Sequence, residues 1–246
     1  MTLNAQTLLG VRGAASNTWM FNKNLSDNGD RVDYKGTFTR GFGVTAIQYL
    51  NETVGVEVGI GVNNISQRTQ GEFEVQFGPE TVSSDYVFET RVSYLEIPVL
   101  FKALSEGGAY FEVGPMLMMH RGENEELIEV SNPDAEDFFD SQADLDDAAE
   151  DDFSSSLLFG VIGFGMNFDL AENLMMGVGL RLAYSFSDSV NEVTEEEYNM
   201  GDPELGWYSN IAHTDAPVDD GEYSPEPTNA AMASLNVGIY YVIGGD

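Results

Sequence analysis

The sequence predicts an all-β fold: an eight-stranded antiparallel up-and-down transmembrane β-barrel with long extracellular loops and short periplasmic turns. Three observations predict it. The run T-V-G-V-E-V-G-I-G-V-N at 53–63 alternates strictly. Val54, Val56, Val58, Ile60 and Val62 take one face, and Gly55, Glu57, Gly59 and Gly61 take the other. A uniformly aliphatic face opposite a tiny one suits lipid outside and a narrow, filled lumen inside. Connections between strand candidates alternate short and long. Finally, apolar positions fall opposite one another across three separate hairpins.

Taken in order, the strand candidates lie near 7–17, 38–50, 54–66, 88–104, 108–120, 155–170, 174–187 and 230–243, in one domain spanning 1–246. Tight turns fall at 51–53, 105–107 and 171–173. Long connections fall at about 18–37, 67–87, 121–154 and 188–229. Alternation of this kind puts all long loops at one rim and both termini at the other.

Directly opposed residues of a hairpin share a face, so turn length fixes a register. With three-residue turns, Ala46 opposes Val58, Val44 opposes Ile60 and Phe42 opposes Val62. In the middle hairpin Ile97 opposes Pro115, Val99 opposes Val113 and Phe101 opposes Phe111. In the last, Phe168 opposes Met176, Met166 opposes Val178, Phe164 opposes Leu180 and Ile162 opposes Leu182. Gly160 then meets Tyr184, whose ring is expected to cover the bare glycine backbone.

The other face carries small residues and charges: Gly10, Arg12, Ala14 and Ser16, then Glu57, Glu96, Lys102 and Glu112, then Gly177, Gly179, Arg181, Ala183 and Ser185. Small residues let an eight-stranded barrel close, because its interior only just holds side chains. Arg12 and Arg181 are expected to pair with Glu57, Glu96 and Glu112, since an unpartnered buried charge costs several kcal/mol. The cluster reads as a salt-bridged plug, with an ion or proton path as its rival. Trp19, Phe21, Tyr184 and Phe186 at the long-loop rim, and Tyr241, Phe168, Phe101 and Phe111 at the short-turn rim, form candidate aromatic girdles. Pro98 and Pro115 fall within strands of a fold that has no edge to host them, so a local bulge is expected there.

Composition bounds the function. Ten Lys and Arg against 42 Asp and Glu give a net charge of −32, which excludes nucleic acid as a partner. Without cysteine there is neither a disulfide framework nor a thiolate metal site. No apolar run reaches the roughly 20 residues of a spanning helix. The first residues, M-T-L-N-A-Q, lack the basic and apolar regions of a signal peptide, so the barrel reading expects one to have been removed.

The run Tyr94-Leu95-Glu96-Ile97-Pro98-Val99-Leu100-Phe101-Lys102 resembles the Y-L-E-I-P-x-L-x-K segment of the PorT-like outer-membrane β-barrel family of Bacteroidota. Gly10-Val11-Arg12-Gly13, Gly114-Pro115, the run 159–168 and Leu180-Arg181-Leu182-Ala183-Tyr184 are similar to that family's other strands. The resemblance implies an eight-stranded barrel in the outer membrane. One branch of the family is associated with type IX secretion. The C-terminal run Tyr241-Val242-Ile243-Gly244-Gly245-Asp246 departs from the terminal aromatic of many outer-membrane barrels.

Few residues carry chemistry. Fourteen acids and no base lie between Glu123 and Asp152. Asp144, Asp146, Asp147, Glu150, Asp151 and Asp152 are weak candidates for calcium, because they lack the ordered spacing of a calcium loop. Otherwise no cofactor and no catalytic residue is expected. His120 near Ser154, Ser155 or Ser156 could imitate the dyad of a lipid hydrolase, without a nucleophile motif to support it. A soluble lipocalin-like barrel would need a hollow apolar interior, which glycines and charges do not supply. The expected role is structural or interaction-based, through acidic extracellular loops. The expected partners are outer-membrane lipid, lipopolysaccharide and envelope proteins, with a secretion or surface-assembly complex as the alternative.

Overall fold

The computed structural model describes residues 6–22, 32–77, 80–131, 153–191 and 226–244. Eight strands follow in sequence: β1 (Thr7–Phe21), β2 (Val32–Tyr49), β3 (Val54–Phe77), β4 (Glu80–Leu104), β5 (Ala109–Val130), β6 (Ser156–Ala171), β7 (Leu174–Ser185) and β8 (Asn229–Ile243). Each pairs antiparallel with the next, and β8 closes on β1, so the barrel has no edge strand. No helix among the described residues is long and apolar enough to cross a membrane.

Alternation decides which face goes where. On β3 Val58 and Ile60 are 47% and 48% exposed, while Glu57, next to Val58 on the same strand, is fully buried. On β7 Leu180 and Leu182 are 45% and 53% exposed, while Arg181 is 6% exposed. Reversing the faces would put the arginine in hydrocarbon, so the strand has one workable orientation. The aromatic rims follow the same parity: Phe21, Tyr184 and Phe186 are exposed at one end, and Phe101, Phe111, Phe168 and Tyr241 at the other. Phe38 and Phe42 are also exposed on the outer wall of β2.

The first and last hairpins have the expected register, with Ala46 opposite Val58, Phe42 opposite Val62, Phe164 opposite Leu180 and Gly160 opposite Tyr184. The middle hairpin is shifted by two residues: Phe101 faces Val113, and Ile97 faces Leu117. Its turn is longer than the three residues expected. The Ser105 amide donates to the Ala109 carbonyl (2.8 Å) and the Gly108 amide to the Ser105 carbonyl (3.0 Å). Gly108 has φ +82°, a left-handed conformation that glycine adopts without steric cost. A shift of two keeps every side chain on its expected face. At Gly160 the covering ring belongs to Phe186, whose Cε2 and Cζ lie 2.8 Å from where a Cβ would stand, and not to Tyr184 directly opposite.

The prolines produce no bulge. Residues 97–98 of β4 lack partners on β3, and 99–100 lack partners on β5, yet the register is the same on both sides of each gap. A one-residue bulge here would flip the aliphatic wall inward, so the ladder opens for two residues instead. Register shifts fall elsewhere, at Gly36/Phe42, Val87/Phe88, Ser93/Tyr94 and Asp169/Ala171.

The largest departure concerns the connection expected at 67–87. It is not a loop. β3 and β4 stay paired out to Phe77 and Glu80, and β5 continues beside β4 to Val130. Three strands therefore run past Val62, Leu95 and Met119, where the continuous outward aliphatic alternation ends.

Candidate functional site: the ion-paired lumen and its outer rim

The lumen is filled in three layers. Nearest the short turns, Leu8, Ile47, Tyr49, Met175 and Tyr240 form an apolar floor. Toward the long loops, Tyr94, Phe159, Met118, Leu157, Met20 and Ile65 belong to a larger apolar cluster. Between them lie three cations and three carboxylates: Arg12, Lys102 and Arg181 with Glu57, Glu96 and Glu112, all buried.

Arg12 on β1 pairs with Glu96 on β4, and Asn63 Nδ2 donates to the second Glu96 oxygen at 3.0 Å. Arg181 Nη2 bonds Glu57 at 2.7 Å, and its Nε bonds Glu112. Lys102 Nζ completes the ring, 2.7 Å from Glu57 and 2.8 Å from Glu112, and it lies 4.2 Å above the Tyr110 ring. Each of these carboxylates thus has a cation in contact, the condition under which buried charge is tolerated.

Glycines on intervening strands make these contacts possible. Arg12 is level with Gly43, Gly43 with Gly61, and Gly61 with Glu96. Two strands without side chains therefore separate the arginine from its carboxylate. Likewise Gly163 lies between Glu112 and Arg181. A Cβ at Gly163 would stand 2.7 Å from Glu112 Oε1 and 2.9 Å from the Leu180 carbonyl oxygen. Gly165 and Gly179 leave room for the Tyr110 ring, and Gly238 for Tyr240. Gly163→Val is expected to destabilise the barrel by about 1–3 kcal/mol through overpacking. Urea unfolding in detergent micelles would show it, and an unchanged midpoint would contradict the packing described here.

All five lumen charges singled out from sequence, Arg12, Glu57, Glu96, Glu112 and Arg181, meet in this layer. Lys102 was placed inward by parity but not in the ion-pair set, and the structure makes it the bridge between two carboxylates. The remaining void beside Arg12, Glu96 and Arg181 has about 10 Å³ of free volume, the space of about one water.

His120, where β5 leaves the lumen, lies against Glu123, with Tyr94 edge-on at 5.9 Å and Phe153 at 6.5 Å between centroids. Its backbone amide donates to the Ser155 carbonyl at 2.9 Å, and Ser154 Oγ donates to Asn191. The calcium candidates Asp144, Asp146, Asp147, Glu150, Asp151 and Asp152 lie outside the described residues. Among the described residues no cluster of acids or histidines could hold a metal ion.

Outside the barrel, a second ionic group sits beyond the apolar band. Glu89 accepts from Arg68 Nε at 2.9 Å, Arg91 Nη2 at 2.6 Å and Ser66 Oγ at 3.0 Å.

No curated protein matches this sequence. Among solved structures, the chain is similar to the attachment invasion locus protein Ail of Yersinia pestis, at 10% identity and a TM-score of 0.37, covering 98% of this chain and 99% of that one. It is similar to the outer membrane protein OprG from Pseudomonas aeruginosa, at 13% identity and a TM-score of 0.37, covering 98% and 97%. It is also similar to Neisserial surface protein A, at 10% identity and a TM-score of 0.37, covering 94% and 95%. The model of the family described as outer membrane protein beta-barrel domain matches residues 4–191. The chain belongs to that outer membrane protein beta-barrel domain family, and its place is the outer membrane.

Proposed function

We propose that this protein is a closed, non-conducting barrel whose work is done outside the membrane, where it docks envelope proteins. The observation that carries this reading is the extension of β3, β4 and β5. Residues 63–77 follow the last outward aliphatic of β3 and remain paired to β4 throughout. Fifteen residues of strand reach about 50 Å, far more than joining two strands requires. The packed ionic lumen supports the non-conducting half of the reading. The acid-rich sequence of the third and fourth long connections would make docking selective against anionic partners.

The Tyr94–Lys102 run supports a finer placement, in the PorT-like branch of Bacteroidota, and with it the second reading of an accessory component in a secretion or surface-assembly complex. No cofactor and no catalysis enter either reading. Altered membrane lipid after His120→Ala would favour the hydrolase alternative instead. Calcium at the acidic third loop would appear as saturable heat in a calorimetric titration.

Replacing residues 70–87 with Asn-Gly would join the Thr69–Phe88 pair by a two-residue turn and leave the barrel intact. Full-length and trimmed proteins, each cross-linked in native membranes and purified, test the reading. Partners held by the parent and lost from a trimmed protein that still shows heat-dependent gel mobility are expected. Identical partners on both would contradict it.

A further inference from the structure

The chain has only ten basic residues, and three of them are in the lumen. The other seven are Lys23, Arg31, Lys35, Arg40, Arg68, Arg91 and Arg121. The last five are described, and they sit on four consecutive strands, β2 to β5, on the outer wall toward the long loops. Arg68, Arg91 and Arg121 follow the apolar band in the outward parity of Val62, Leu95 and Met119. Arg40 shares the parity of Phe42, and Lys35 is level with Arg68. All five are exposed. At the same height β6 to β8 and β1 present Ser156, Phe186, Asn229 and Trp19, with no charge among them.

On a protein of net charge −32, placing every described basic residue of the outer wall in one sector is not diluted by chance surface lysines. Lys35 and Arg68 are direct cross-strand partners of like charge. Lys35 Nζ donates to Gln70 Oε1 at 2.6 Å, and Arg68 is paired with Glu89. Glu89 fixes Arg68 and Arg91 in place, yet both side chains stay nearly half exposed. Arg40 and Arg121 have no ion-pair or hydrogen-bond partner among the described residues. Arginine forks of this kind bind phosphate oxygens bidentately.

We propose that the β2–β5 outer wall is a docking site for a phosphorylated saccharolipid of the outer leaflet. Its phosphates lie on Arg40, Arg68, Arg91 and Arg121, and its acyl chains lie on Val62, Leu95 and Met119 below. An anionic lipid fits better than an acidic protein, because Arg40 and Arg121 stand only two residues beyond the exposed apolar Phe42 and Met119, with Arg91 and Arg68 further out along the same wall. The inference uses the outer-membrane placement and is independent of the protein-docking role proposed above.

Native mass spectrometry of the full chain from detergent tests it, with bisphosphorylated lipid A and the same lipid after removal of both phosphates as probes. The parent is expected to hold the bisphosphorylated form at least about tenfold more tightly, a preference that weakens with salt. In Arg40→Gln/Arg121→Gln, which breaks no bond within the described protein, the preference is expected to shrink severalfold. In a variant that also carries Arg68→Gln and Arg91→Gln it is expected to vanish. Equal binding of both lipids by the parent, or an undiminished preference in the correctly folded double variant, would overturn the proposal.

Discussion

Arg181→Ala is expected to lower the stability of the barrel by about 3–5 kcal/mol, the cost of leaving a buried charge without its partner. Arg181 bonds both Glu57 and Glu112, and its removal leaves Lys102 alone between two buried carboxylates. Adding Glu112→Gln to that variant is expected to recover part of the loss, because one cation then faces one carboxylate. Urea midpoints of the parent, both single variants and the double variant, measured in the same detergent, give the coupling. Additive effects would contradict the shared cluster. The single variant is not expected to conduct ions in a planar bilayer. The apolar layers around Tyr240 and around Phe159 still close the bore above and below the charges. A conducting Arg181→Ala variant would show that the ionic layer alone is the seal.

Leu180→Arg is expected to cost about 2–4 kcal/mol, the penalty for arginine on a lipid-facing strand near the bilayer midplane. Leu180 is exposed on the outer wall, level with Phe164 on one side and Leu235 on the other, both also exposed. No acid on these strands is placed to compensate. Ser156→Arg, at the long-loop end of β6, is the matched control and is expected to cost no more than about 1 kcal/mol. Folding yields into lipid vesicles would separate the two. Equal tolerance of both substitutions would mean that Leu180 does not face hydrocarbon.

The membrane-spanning part of the fold was legible because lipid outside and a crowded lumen inside force a strict period of two. Residues such as Val58, Ile60, Leu180 and Leu182 can serve only one face. The extension of β3 and β4 was not legible in the same way, because beyond Val62 the outer face turns polar, with Asn64, Ser66 and Arg68, and the aliphatic alternation ends. A weaker signal was present: Phe73, Val75 and Phe77 alternate, and Gly78-Pro79 is a turn dipeptide. The middle register was misplaced because the turn was read as the three residues Ser105-Glu106-Gly107, although Gly108 supports a longer one. The lumen pairs were legible from parity and charge balance. What parity alone could not supply was how far a side chain reaches, and here the glycines Gly43, Gly61 and Gly163 decide. They let Arg12 and Arg181 contact carboxylates on strands that are not their neighbours. Lys102 was overlooked as a site residue because it lies near the short turn, whereas its long side chain carries the ammonium inward to Glu57 and Glu112.

The orientation of the aliphatic wall can be read directly, because a chain without cysteine accepts single cysteines at will. Spin labels placed in turn at each position from 54 to 62, in lipid vesicles, report contact with oxygen, which concentrates in hydrocarbon, and with a water-soluble nickel complex. Labels replacing Val54, Val56, Val58, Ile60 and Val62 are expected to collide with oxygen and escape the nickel complex. Labels replacing Gly55, Glu57, Gly59 and Gly61, where the barrel tolerates them, are expected to escape both. Oxygen contact confined to the glycine positions, or the absence of any two-residue period, would contradict a barrel that turns its valines toward lipid.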